Sequence, residues 1–227
     1  PYSSGVPEGF SSWEDWWRNS VTTFVSDLHD SMQVVKPFVR LSAAVLGRYN
    51  WGGWQGYGTV YQDGALWFNQ GFVDQLTPMH YHWTTPNGFA QMLQGSNESW
   101  LPYIQEGVSN GRLFSVGPGS YILADQNLWD NHTGIVNTVQ DIEFVDGFQF
   151  FSNGTWEDYQ YWQEAGNTFF KEKTIIRYLP EHENTSGVTP SPNCQIEQID
   201  ELNYQLNVSR NSQGSPVWTV VSLTPSD

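Results

Sequence analysis

From Trp13 onward the apolar residues Trp16, Trp17, Val21, Phe24, Val25, Leu28 and Met32 recur three and four positions apart, the spacing of one face of an α-helix. Ser11-Ser12-Trp13-Glu14 opens the run as a capping box, with Ser11 placed to accept from the helix backbone and Glu14 to reach back. The pattern predicts an amphipathic helix over 12–33. Pro37 interrupts it, and Phe38 to Leu46 reads equally as a strand or as a second short helix.

Beyond Gly47 the texture changes to short aromatic and β-branched runs separated by Gly, Pro, Asn and Asp, which predicts strands and turns. Tyr57 to Gln62 and Ala65 to Asn69 flank Asp63-Gly64, a two-residue hairpin signal. Further strands are predicted at 79–84, 112–116, 120–124, 135–146, 148–152, 155–164, 167–179, 195–208 and 216–223, with short helices at 86–94 and 97–107. Pro118-Gly119, Asp146-Gly147 and Asn153-Gly154 separate them as hairpin turns. Residues 180–193 form a polar, Pro-containing exposed loop. No repeat of fixed period is present, which disfavours a propeller or solenoid. The expected fold is mainly β: one domain over 1–227, an antiparallel β-sandwich or β-barrel carrying the N-terminal helix.

Composition narrows the partners. Nine Lys+Arg stand against 24 Asp+Glu, a formal charge of −15, and only three residues are Lys. Without a basic cluster the chain lacks the footprint that a phosphate backbone requires, so nucleic acid is not expected. No run reaches the 18–20 apolar residues of a membrane span. Pro1 in place of Met suggests a removed targeting segment, and five sequons, at Asn97, Asn131, Asn153, Asn184 and Asn207, point to an N-glycosylated protein of the secretory pathway. The single cysteine, Cys194, has no internal partner for a disulfide, so its thiol is expected to be either buried or paired between chains in a homodimer.

Catalytic signatures are sparse. His80 and His82 in Met79 to Trp83 would share a strand face, yet no acid follows them to complete a two-His-one-carboxylate set, so no metal is expected and they read as donors to a carbonyl. Pairs such as Glu143 with Glu157, or Asp158 with Glu164, are conceivable glycosidase partners, but sequence does not show two carboxyls facing across a cleft. There is no Gly-x-Ser-x-Gly elbow and no nucleotide-binding template, and no cofactor is expected. What remains is the aromatic excess: 12 Trp, 11 Tyr and 13 Phe, densest over Tyr49 to Phe72 and Phe144 to Phe170. Rings fill cores, but Trp and Tyr also favour half-wet positions where their N–H and O–H find partners. They predict either an apolar pocket or platforms that stack on sugar faces. In the pocket reading Trp51, Trp54, Trp67 and Trp162 are walls, and Tyr61, Tyr161, His80 and His82 are donors to a hydrophobic small-molecule substrate.

A multiply sequon-bearing, Trp-rich chain of this length resembles the fungal hetero-Diels–Alderases that join a tropolone-derived quinone methide to a humulene-type sesquiterpene. The stretch FQFFSNGTWEDYQYWQEAGNTFF, residues 148–170, is its most distinctive segment. The resemblance implies a cofactor-free pericyclase working by shape and orientation, and it assigns no catalytic residue. The alternative is a secreted carbohydrate-binding or carbohydrate-active protein. A third reading is a secreted interaction protein without a small ligand.

Overall fold

The computed structural model describes residues 5–172, 193–198 and 204–209. By contacts the chain falls into two compact units, Pro1–Glu183 and Asn184–Asp227.

In the first unit the expected N-terminal helix is present as α1 (Trp13–Val35), capped one residue later than predicted. Ser12 accepts from the Asp15 N–H at 3.1 Å, while the Ser11 hydroxyl donates to the Asp15 carboxylate. Four strands follow: β1 (Ser42–Leu46), β2 (Gln75–Met79), β3 (Leu113–Val116) and β4 (Gly147–Phe148), all parallel and in the order β1-β2-β3-β4. Between them lie α2 (Gly56–Thr59), α3 (Gly64–Gln70), α4 (Pro86–Gln94), α5 (Leu101–Ser109), α6 (Ser120–Asp125) and α7 (Asn131–Gln140), and after β4 come α8 (Asn153–Asp158) and α9 (Trp162–Asn167).

The expected antiparallel β-sandwich or barrel is therefore wrong; this unit is α/β. Parallel neighbours need a crossover, and crossovers are right-handed. With strand order equal to chain order, every crossover advances the same way and its helices fall on one face of the sheet. The core records this. Ala43, Val45, Leu76, Phe114, Val116 and Phe148 meet Phe68, Phe89, Leu93, Ile104, Ile135 and Val139 of the helices in one apolar cluster. The opposite face, with Ser42, Ala44, Gln75, Thr77 and Ser115, is more polar, and there Gln75 Nε2 donates to Ser115 Oγ at 2.7 Å.

Several predicted strands are helices for identifiable reasons. Asp63 does not turn a hairpin: it caps α3, accepting from the Leu66 N–H at 3.2 Å and from the Tyr49 hydroxyl at 2.6 Å. Ser152 likewise caps α8 ahead of Asn153-Gly154, since short polar side chains serve helix caps as readily as turns. Ile135, Val136, Val139 and Ile142 are buried at helical spacing within the predicted strand 135–146. Predicted strands 57–62, 65–69, 120–124 and 155–164 likewise give way to helical segments, and the strand predicted at 79–84 ends at Met79, so His80 and His82 do not share a strand face. The helix predicted at 86–94 is present with those bounds, and the second begins at Leu101. The polar loop 180–193 and the strand at 216–223 lie outside the described residues, apart from Asn193.

In the second unit β5 (Asn193–Gln198) and β6 (Tyr204–Ser209) pair antiparallel, with Cys194 opposite Val208. No described helix is long and apolar enough to cross a membrane.

Candidate functional site

In α/β sheets ligands gather beyond the carboxyl ends of parallel strands, where loops converge while the strands fix their roots. The three residues past each strand here are Gly47-Arg48-Tyr49, His80-Tyr81-His82, Gly117-Pro118-Gly119 and Gln149-Phe150-Phe151, with neither Asp nor Glu among them. These strand ends supply rings, imidazoles and one guanidinium.

Three of the rings form a platform. Tyr81, after β2, stacks on Phe151, after β4, with centroids 5.4 Å apart and planes at 24°. Tyr121, in the loop and helix after β3, meets both edge-on at 5.6 and 5.7 Å. Backbone contacts hold the group together. Gly119 and Phe151 form an isolated parallel bridge, Phe151 N–H donates to Pro118 O at 3.0 Å, and Tyr121 N–H donates to Phe151 O at 3.4 Å. The platform sits close to β3 because two glycines let it: a Cβ on Gly117 would lie 2.7 Å from Pro78 O, and one on Gly119 would lie 3.0 Å from both Cα and Cβ of Tyr81. Phe151 remains 52 % exposed, so the platform faces outward. Burial and the neighbouring Tyr121 raise the Tyr81 hydroxyl pKa, keeping it a neutral donor.

After β1, the neighbour of β2 in the sheet, Arg48 donates to Gly52 O and places Cζ 5.6 Å from the Trp83 ring centroid. Trp54, on the same loop as Gly52, is 66 % exposed. His82 is exposed.

The other predicted donors and walls do not assemble into one pocket. His80 is fully buried on the helix side of the sheet, among Trp83, Phe89, Trp100 and Phe114; its Nδ1 accepts from Gly117 N–H at 3.4 Å, and burial pushes its pKa down to about 3. Tyr61 packs against Trp17 of α1, centroids 5.0 Å apart. Trp67 is buried under α1, its Nε1 donating to Thr22 Oγ1 at 2.9 Å, and Trp51 is buried against Trp100 and Tyr103. Tyr161 belongs to a second buried cluster with Trp156 and Ala165; its hydroxyl, raised in pKa by burial, lies 3.4 Å from Thr133 Oγ1. Trp162 stands half-exposed nearby.

That second cluster borders a cavity of about 370 Å³ lined by Phe148, Phe150, Asn153, Trp156, Trp162 and Phe170, among others. Behind its wall, Trp156 Nε1 donates to Ser120 Oγ at 2.8 Å, and Ser120 lies 2.9 Å from His132 Nε2. His132 Nδ1 faces the Trp129 carbonyl at 3.0 Å, so Nδ1 carries the proton and Nε2 accepts the serine hydroxyl. Serine and histidine are joined here as in a nucleophile and its base, but Ser120 is fully buried and its oxygen already takes the indole N–H. The pair anchors Trp156 instead. Burial lowers the His132 pKa to about 4. Among the described residues, no three His, Cys, Asp or Glu side chains gather as a metal site.

The sequence pointed to the His80-Tyr81-His82 segment and to the stretch holding Phe151, but gave no role to Tyr81 or Phe151 individually and none to Tyr121, Trp83 or Arg48. The available signal was their place just past short apolar runs, with Gly47 beside Arg48 and Gly119 two residues before Tyr121.

Residues 4–110, just under half of the chain, match the model of a family described as Glycosyl hydrolase-like 10. The matched stretch carries β1, β2, Arg48, Tyr81 and Trp83, and ends before Tyr121 and Phe151. No curated protein matches the chain.

Proposed function

We propose that this chain is a carbohydrate-active protein whose Tyr81–Tyr121–Phe151 platform holds a sugar ring at the carboxyl ends of the parallel strands. One observation carries the reading: three rings from the segments that follow three adjacent strands are pinned by backbone bonds into one outward-facing surface, in a chain whose residues 4–110 match a glycosyl hydrolase-like model. A pyranose presents a face of C–H groups that packs on an aromatic ring, while its hydroxyls need donors and acceptors at the rim. Arg48, His82 and the Tyr81 hydroxyl supply them. Glycoside hydrolysis further needs two carboxylates set across the scissile bond. The residues that end these four strands provide none, so their part in the reaction is to bind and orient the sugar.

Intrinsic fluorescence titrated with a panel of neutral and amino-sugar oligosaccharides tests this. Saturable quenching is expected, with affinity lowered roughly tenfold in Tyr81→Ala, equivalent to about 1.4 kcal/mol. Gly119→Ala, whose new Cβ presses on Tyr81, should weaken binding in the same direction. Quenching by a hydrophobic polyene and by no oligosaccharide would overturn the reading in favour of a cyclase.

A further inference from the structure

Three sequons lie among residues whose side chains are described, and their surroundings differ. Asn131 is half-buried and its Nδ2 donates to Thr84 O at 2.7 Å, so its amide is already engaged in joining α7 to the loop before α4. Asn97 is exposed on the loop between α4 and α5 and is not among the residues lining the cavity of about 370 Å³. Asn153 is exposed and lines the rim of the cavity of about 370 Å³.

That cavity has an uneven lining. Its floor is aromatic, formed by Phe148 stacked on Phe150 at 5.6 Å and 9°, with Trp156 behind. Two of its walls are rings that water should not favour: Trp162 is 51 % exposed and Phe170 is 42 % exposed. The Trp162 ring is also held in place, since its Nε1 donates to Glu157 Oε1 at 2.8 Å. Its volume falls within the span of small-molecule sites, about 300–1,000 Å³. Among the groups lining this apolar space is the one amide that an oligosaccharyl transferase would modify in Asn153-Gly154-Thr155.

We infer that Asn153 carries an N-linked glycan whose first N-acetylglucosamine folds back into this cavity, with its C–H face against Trp162 and Phe170. The attachment forms a bond between Asn153 Nδ2 and the sugar C1; the lipid-linked donor leaves as its pyrophosphate, and the amide proton goes to solvent. The tether makes the sugar's local concentration high, so even a weak stacking contact is populated. The glycan then covers rings that otherwise face water and closes the outer side of β4. The inference does not rest on the sugar platform at the strand ends, which is built from Tyr81, Tyr121 and Phe151.

The test is to express the full chain through a eukaryotic secretory pathway and map glycopeptides by mass spectrometry. The folded protein is then treated with peptide N-glycosidase. Asn153 is expected to be occupied and to release its glycan at least tenfold more slowly than Asn97. Trp162→Ala combined with Phe170→Ala should bring that rate to within about threefold of Asn97. Because the double variant can loosen the unit as a whole, the unaltered protein provides a second readout. Protons of the first sugar at Asn153 should show upfield ring-current shifts in NMR that are absent at Asn97. A bare Asn153 overturns the proposal, as does an occupied one with unshifted sugar protons and release as fast as at Asn97.

Discussion

Trp100→Ala is expected to remove about half or more of the stability of the first unit at 25 °C. Trp100 is fully buried, with Tyr49 and Trp51 each 5.7 Å and Phe114 5.8 Å from its ring centroid and His80 at 6.3 Å. Truncating a buried Trp costs about 3–5 kcal/mol through lost transfer energy and the cavity left behind. Its Nε1 also donates to Gly47 O at 2.8 Å, so the change strands a buried carbonyl at the carboxyl end of β1, worth about 1–3 kcal/mol more. Against a total stability of about 5–15 kcal/mol, a combined loss of about 4–8 kcal/mol is half or more of the whole at the middle of both ranges. Trp100→Phe separates the two contributions, because it keeps most of the ring and removes only the indole N–H. It should cost about 1–3 kcal/mol. Urea denaturation followed by circular dichroism reads both. A loss below about 1.5 kcal/mol for the alanine variant would show that this aromatic cluster is not what holds the strand ends together.

The same cluster shows why the fold was only partly legible. The first helix was readable because 23 residues give its apolar spacing several turns in which to repeat. Of the sheet, β3 was readable as the strand predicted at 112–116, but the parallel arrangement was not, because the strands are two to five residues long and Phe114 and Val116 are buried alongside Leu113 and Ser115, leaving no alternation to show which face meets the helices. Pro78 obscured β2 further: proline normally argues against a central strand, yet here it sits opposite Val45 between two parallel neighbours. Asp63 and Ser152 were ambiguous in principle, since the hydrogen bond that caps a helix also closes a turn. The site was harder still. Tyr81, Tyr121 and Phe151 are separated by 40 and 30 residues in the chain and become neighbours only when three strands align. Aromatic density was a divided guide: Trp51 and Trp67, in the first dense stretch, are core, while of the platform rings only Phe151 lies in a dense stretch, and Tyr81 and Tyr121 come from outside both.

Acidification from pH 7 to pH 5 is expected to remove about 4 kcal/mol of stability through two histidines alone. His80 and His132 ordinarily titrate at 6.5, but burial holds them down to about 3 and about 4 in the folded chain. A depressed pKa on a base means that the folded state keeps the neutral ring while the unfolded chain takes up the proton. The stability is therefore complete above pH 6.5 and is lost as pH falls towards the folded values, at about 1.4 kcal/mol per pH unit for each ring. Neither ring has a carboxylate among its hydrogen-bond partners or ring neighbours to offset the charge. His80 is surrounded by Trp83, Phe89, Trp100 and Phe114, and protonated His132 would present an N–H to Ser120, whose hydroxyl proton would lose its acceptor. Ordinary carboxylates titrate near 4, so little of the −15 charge is neutralised in this window and relief of its self-repulsion does not mask the effect. Urea midpoints measured in half-unit steps should give a slope near two protons between pH 6 and pH 5. His80→Leu, which places an aliphatic group among those rings, should bring the slope near one. A wild-type slope below half a proton would mean that both imidazoles already carry their protons in the folded chain, and that the aromatic walls around them are wetter than their burial indicates.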